Sequence, residues 1–137
     1  LDVLEVVQVL QPAFGAVDTS LREMGFVPHC LAEMRLGPIA PLIVSNNPQM
    51  PTRQLLQADI VYVRDFMRRE NMNGEQWKHL ALIAHHCYDS IDLALRAIMA
   101  ATRLGAARSD AAEQYLKILA SLGIPASASA LLGRAKG

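Results

Sequence analysis

An excess of charge of either sign is missing from this chain: thirteen basic residues balance thirteen acidic ones across 137 positions. Without a net field there is nothing to hold a polyanionic backbone, so nucleic acid is not an expected partner. Cysteine is scarce. Cys30 and Cys87 are far apart, and two lone thiols of this kind are expected to be reduced and packed rather than bridged. No apolar run reaches the ~18 residues that span a bilayer; the densest, Leu80 to Ala84, is bounded by His79, His85 and His86. The expectation is a soluble, cytoplasmic protein with no membrane partner. Apolar residues are plentiful, at 52% against 19% charged, so a core can form and a disordered polymer is excluded.

Along the chain the hydrophobic period changes once. Val3 to Leu10 is β-branched and nearly continuous in apolar character, as in a strand covered on both faces of a parallel sheet. Such a strand at the very start, after Leu1 rather than Met, implies neighbours upstream and hence a partial sequence. Phe14, Val17, Leu21 and Met24 then recur at helical steps with Asp18, Arg22 and Glu23 between them, and Gly25 stands where a left-handed cap belongs. Residues 26–34 form a second predicted strand. Pro28 interrupts it and cannot donate to a ladder, which places the strand at a sheet edge. Residues 35–57, with Pro38, Pro41, Pro48, Pro51 and turn chemistry at Asn46-Asn47-Pro48, read as a long loop with a short strand at Ile39–Val44. Residues 58–64 form a third strand.

From there the pattern is helical. Asn73 and Gln76 have capping-box spacing before a helix to about Tyr88. Asp89 or Ser90 opens a second helix that ends at Gly105, and Asp110 with Glu113 opens a third that Gly123 stops. The chain thus divides into residues 1–67, an α/β part, and 68–137, an α-helical extension.

The segments LDVLEVVQVL, FGAVDTSLREMGFVPHC and QLLQADIVYVRDF, in this order and spacing, resemble the C-terminal end of FkbM-type methyltransferases, and KHLALIAHHCYDSIDLALRA is similar to the helical extension of some members. The resemblance implies the end of a Rossmann-like sheet (strand-helix-strand-strand) of an enzyme that transfers a methyl group from S-adenosylmethionine to a hydroxyl oxygen of a small-molecule or glycan acceptor. Residues 3–10, 26–34 and 58–64 would be its last three strands. The glycine-rich turn that receives such a cofactor follows an early strand, and Gly15, Gly25 and Gly37 do not form one. This segment is therefore expected to bind no cofactor and to be inactive by itself. The linker before Phe14 is also shorter than in the family, so the shape of the acceptor pocket does not follow from the resemblance.

No catalytic residue is singled out. Gln8 and Gln11, polar residues at the end of the first strand, are the candidate substrate-binding side chains, with satisfaction by loop backbone as an equal alternative. Of His79, His85, His86 and Cys87, only His79 and His86 share a helical face. Two ligands do not make a metal site, and imidazoles at a helix C-terminus already suit its dipole. Cys30 reads as a packed thiol, and the mixed charges of Arg64-Asp65 and Arg68-Arg69-Glu70 as a mutually paired surface. The alternative to an enzyme fragment is a non-catalytic protein-interaction or oligomerisation module with a helical tail, whose partner would be another protein or a second copy of the chain.

Overall fold

A computed structural model describes residues 13–128. Contacts cluster into two compact units that divide between Asn71 and Met72. The described architecture is mixed α/β, with one two-stranded antiparallel sheet and four α-helices. The strand expected at residues 3–10 lies outside the described residues.

The first unit opens with α1, Phe14–Glu23. Gly25 ends it at φ +85°, the left-handed region that a side chain would resist. The chain turns directly into β1, Phe26–Gly37, which pairs antiparallel with β2, Gln54–Arg64. The Asp65 amide, just past β2, donates to the Gly25 carbonyl at 2.9 Å and ties the ribbon's base to the helix end. Among the described residues both strands are edges of the sheet, so Pro28, opposite Tyr62, costs no ladder bond on its outer side there.

Both strands are longer than the sequence pattern indicates. Three register shifts occur, and the Cα register skips His29, Ala32 and Leu56. Each such bulge moves the alternation to the other face, which scrambles the period-2 signal in residues 26–37 and 54–57. Leu56 lies over buried Gly37, where a Cβ would meet its side chain. The short strand expected at Ile39–Val44 is not formed; Val44 makes only an isolated bridge to Asn47. Pro38 and Pro41 supply no N–H there, and the segment closes as turns instead, with Ser45 and Asn46 at positive φ.

The second unit has its own core. Its first helix, α2 (Gly74–Tyr88), starts at Asn73, whose side chain accepts from the Gln76 amide at 2.9 Å while Gln76 Oε1 accepts from the Asn73 amide at 2.9 Å. Both halves of the capping box are present. Asp89, at φ 51°, reverses the chain into α3 (Ile91–Arg103). After Gly105, at φ +72°, comes α4 (Ala111–Ser121), stopped by Gly123 at φ +82°. Asp110 holds the N-cap position of α4, yet its carboxylate is taken by Arg108 through two 3.0 Å bonds rather than by the helix amides.

The interior contains Trp77, Ala81, Ala84, Leu93, Ala94, Ala97, Ala101, Tyr115 and Leu119. Alanines at 94, 97 and 101 are fully buried, so α2 and α3 approach closely along a seam of small residues. Trp77 and Leu93 join that seam, whereas other large side chains of these helices lie away from it: Leu82 and Ile83 are exposed, and Leu95, Ile98 and Met99 are half-buried. On α4, Tyr115 and Leu119, one helical turn apart, face inward while Ile118 and Leu122 are exposed. No helix among the described residues is long and apolar enough to cross a membrane.

Candidate functional site

Gln8 and Gln11 lie outside the described residues, so the structure assigns neither a place. Two other groups of polar side chains are built by the fold, one in each unit.

In the first unit, Asp18 faces outward from α1 toward β2. Arg22, one turn along the helix, donates its Nε–H to Asp18 Oδ2 at 2.7 Å, and the Tyr62 hydroxyl donates to Asp18 Oδ1 at 2.8 Å. The Arg22 bond first, and the Tyr62 bond second, hold the Asp18 carboxyl below the usual carboxylate range. Partial burial, then the nearby carboxylate, pushes the Tyr62 phenol up. Both carboxylate oxygens are occupied, which leaves Asp18 poorly placed as a general base. Its effect is to clamp α1 to the ribbon. The helical spacing shows Asp18 and Arg22 together, but nothing local connects them to Tyr62, 44 residues away.

In the second unit, α2, α3 and α4 leave an open groove of about 410 Å³. Its walls are largely apolar, with Leu82, Ile98 and Ile118 among them, and Lys78, His85, His86 and Tyr115 supply polar groups. His85 Nδ1 lies 2.9 Å from the Tyr115 hydroxyl, and the two rings meet edge to face at 5.5 Å between centroids. His86 stacks edge-on against His85 at 4.8 Å. Burial first, and the Asp92 carboxylate second, raises the Tyr115 phenol above its ordinary value. Tyr115 therefore keeps its proton over the neutral range, and its hydroxyl either donates to Nδ1 or accepts from Nδ1–H, according to the imidazole tautomer.

Of the two imidazoles that share a helical face, His86 lines the groove. His79 is exposed and does not line the groove. His85, set aside because it leaves the face shared by 79 and 86, is the imidazole that is engaged. The reason is tertiary: its partner comes from α4, and no spacing within α2 reveals a residue 30 positions on. Among the described residues no group of three or more His, Cys, Asp or Glu side chains could hold a metal ion.

The remaining candidates are placed as follows. Cys30 is half-buried opposite Val61 and Cys87 is exposed; both are free thiols. At the junction Arg64 lies over the Phe26 ring at 5.5 Å and Arg68 pairs with Asp65 at 3.5 Å, so this mixed cluster is partly self-paired. At the ribbon tip the Asn47 side chain accepts from the Gln49 amide at 2.9 Å, the turn chemistry expected of that sequence.

No protein-family model, no curated protein and no solved structure matches the chain.

Proposed function

We propose that this chain is the closing part of a Rossmann-like α/β enzyme, an S-adenosylmethionine-dependent O-methyltransferase of the FkbM type, followed by a helical extension. On this reading the cofactor is held by strands outside the chain. The acceptor is a hydroxyl of a small molecule or glycan, and the enzyme works in the cytoplasm. The observation that carries the reading is the state of the first unit. Among its described residues only Gly37 is buried, while Leu31, Met34, Leu55 and Leu56 on the ribbon are each at least half exposed. A two-stranded ribbon alone is marginal in water, and apolar residues left uncovered along one call for further sheet and helix to cover them. A helix that ends in Gly-Phe and feeds an antiparallel pair is also what the resemblance expects at the margin of such a sheet.

Two measurements test this. Calorimetric titration of the chain with S-adenosylmethionine should give no saturable heat, since Gly15, Gly25 and Gly37 form no glycine-rich turn after a strand; micromolar binding would place the cofactor site inside the chain and overturn the division of labour. The natural protein that carries this segment should transfer a tritiated methyl group from S-adenosylmethionine to a hydroxyl acceptor, and failure over a broad polyol and glycan set would remove the assignment.

The same exposed ribbon favours one second reading, a non-catalytic module that assembles with copies of itself through its open strand edges. Static light scattering separates the two. A discrete dimer that persists when S-adenosylmethionine-dependent activity is absent from the natural protein supports the module.

A further inference from the structure

The tip of the β1–β2 ribbon has a composition that neither reading uses. From Met34 to Ala58 the chain contains no acidic residue, and its only charges are Arg35 and Arg53. Between those two arginines the chain is uncharged, and at its end Ile39, Leu42, Ile43 and Val44 are 65%, 55%, 60% and 37% exposed. This is not a floppy loop. Successive turns close it through Leu42 N to Ile39 O at 3.3 Å, Asn47 N to Val44 O at 2.9 Å and Met50 N to Asn47 O at 3.3 Å, and the Thr52 hydroxyl fastens its base by donating to Gly37 O at 2.7 Å.

We propose that this tip docks on an anionic lipid surface, with Ile39, Leu42, Ile43 and Val44 entering the headgroup–acyl boundary and Arg35 and Arg53 meeting the lipid phosphates. Three observations favour lipid over a protein partner. The apolar side chains sit on a projecting turn rather than a flat or concave face, so a protein would need a matching pocket whereas a fluid interface needs none. The arginines lie at the base of the tip, Arg35 two residues before the last pair, Gly37 with Gln54, and Arg53 one residue before Gln54. Their long stems can reach a charged surface while the tip is inserted. Both are exposed, and neither forms an ion pair among the described residues. The acidic residues resume at Glu33 opposite Asp59. That pair is four residues below Gly37, about 13 Å along the strand, which exceeds the Debye length of about 8 Å at physiological salt. Their repulsion from anionic headgroups is thus largely screened. The sequence-based expectation of no membrane partner rested on the lack of a spanning run, and a surface-seated turn requires none. The inference does not depend on methyl transfer.

Co-sedimentation of the chain with large vesicles tests it, comparing phosphatidylcholine alone with a seven-to-three mixture of phosphatidylcholine and phosphatidylglycerol. The chain should pellet with the mixed vesicles, much less with the neutral ones, and less again as salt rises. Leu42→Asp with Ile43→Asp should lower the partition coefficient by roughly a hundredfold or more, because two buried aliphatic side chains are lost. Arg35→Gln and Arg53→Gln should each lower it about fivefold. Leu122→Asp, which removes a 61% exposed leucine from the other unit, should leave it unchanged. Far-ultraviolet circular dichroism checks that the ribbon persists in each variant. Absence of sedimentation overturns the proposal, as does binding that the double aspartate variant retains. Self-association that needs Leu42 and Ile43, without vesicle binding, also overturns it and makes a second copy the occupant.

Discussion

Replacing Gly74 with alanine sets two effects of opposite sign against each other. Glycine within a helix costs up to about 1 kcal/mol relative to alanine, so intrinsic propensity predicts that the change stabilises the second unit. Gly74 is the first residue of α2, where that gain is smaller. Packing predicts the reverse. A Cβ on Gly74 would fall well inside contact distance of Ala106 Cβ and 3.7 Å from Leu104 Cβ. Ala106 has no rotatable side chain to withdraw. Its amide donates to the Ala101 carbonyl at 2.9 Å, just after the left-handed Gly105, so the turn is held in place. Inserting a methyl group into such a contact costs about 1–3 kcal/mol. The net expectation is a loss of about 1 kcal/mol. For a unit of this size the urea slope is about 1 kcal/mol/M, so the midpoint should fall by about 1 M. Trp77, the single tryptophan and 1% exposed, reports the transition by its emission. Ala106→Gly removes the obstructing methyl, and the double variant should recover stability with a coupling of about 1–2 kcal/mol. A midpoint that rises on Gly74→Ala, or single effects that simply add in the double variant, would refute the packing argument.

Asn73→Ala removes the acceptor for the Gln76 amide and the anchor of the reciprocal bond; the second unit should lose about 1 kcal/mol in urea melts followed by circular dichroism. Tyr115→Phe deletes the hydroxyl that His85 engages; the expected cost is about 1 kcal/mol, or roughly 4–8 °C in melting temperature for a unit this small. Tyr115 has a folded pKa raised above its unfolded value, so its contribution to stability is complete below the ordinary phenol range and is lost as pH rises through the folded value. Urea midpoints should therefore decline in alkali for the natural chain more than for Tyr115→Phe. Asp18 behaves in the opposite sense. Its folded pKa is depressed, so the clamp to Arg22 and Tyr62 is present above the ordinary carboxylate range and fades as pH falls through the lowered value. The carbon-13 shift of the Asp18 carboxyl should titrate below that of a free aspartate and move back toward it in Tyr62→Phe.

Much of the helical half was legible because its signals are local. Asn73 and Gln76 are three residues apart, and Gly105 and Gly123, like Gly25 in the other unit, each stand at the stop that their positive φ enforces. A cap or a left-handed residue is chosen by atoms within one turn, so a short window suffices. The α/β half was legible in outline only. Two strands after a helix were expected, but not the length of either strand, since bulges at His29, Ala32 and Leu56 break the alternation a strand is read from. In the core of the helical unit the structure makes Ala94, Ala97 and Ala101 the fully buried seam and leaves Ile83 outside.

What the sequence by itself determined, then, is where each helix begins and ends, the turn at Asn47, and the charge-free stretch between Arg35 and Arg53. These follow from backbone sterics and from residue order alone. Only the tertiary structure decided that Tyr115 meets His85, that Tyr62 reaches Asp18, and that Gly74 has no room for a methyl group. Each of these joins residues 30 or more positions apart, and such contacts depend on how packed elements are rotated and offset against one another, which no local pattern encodes.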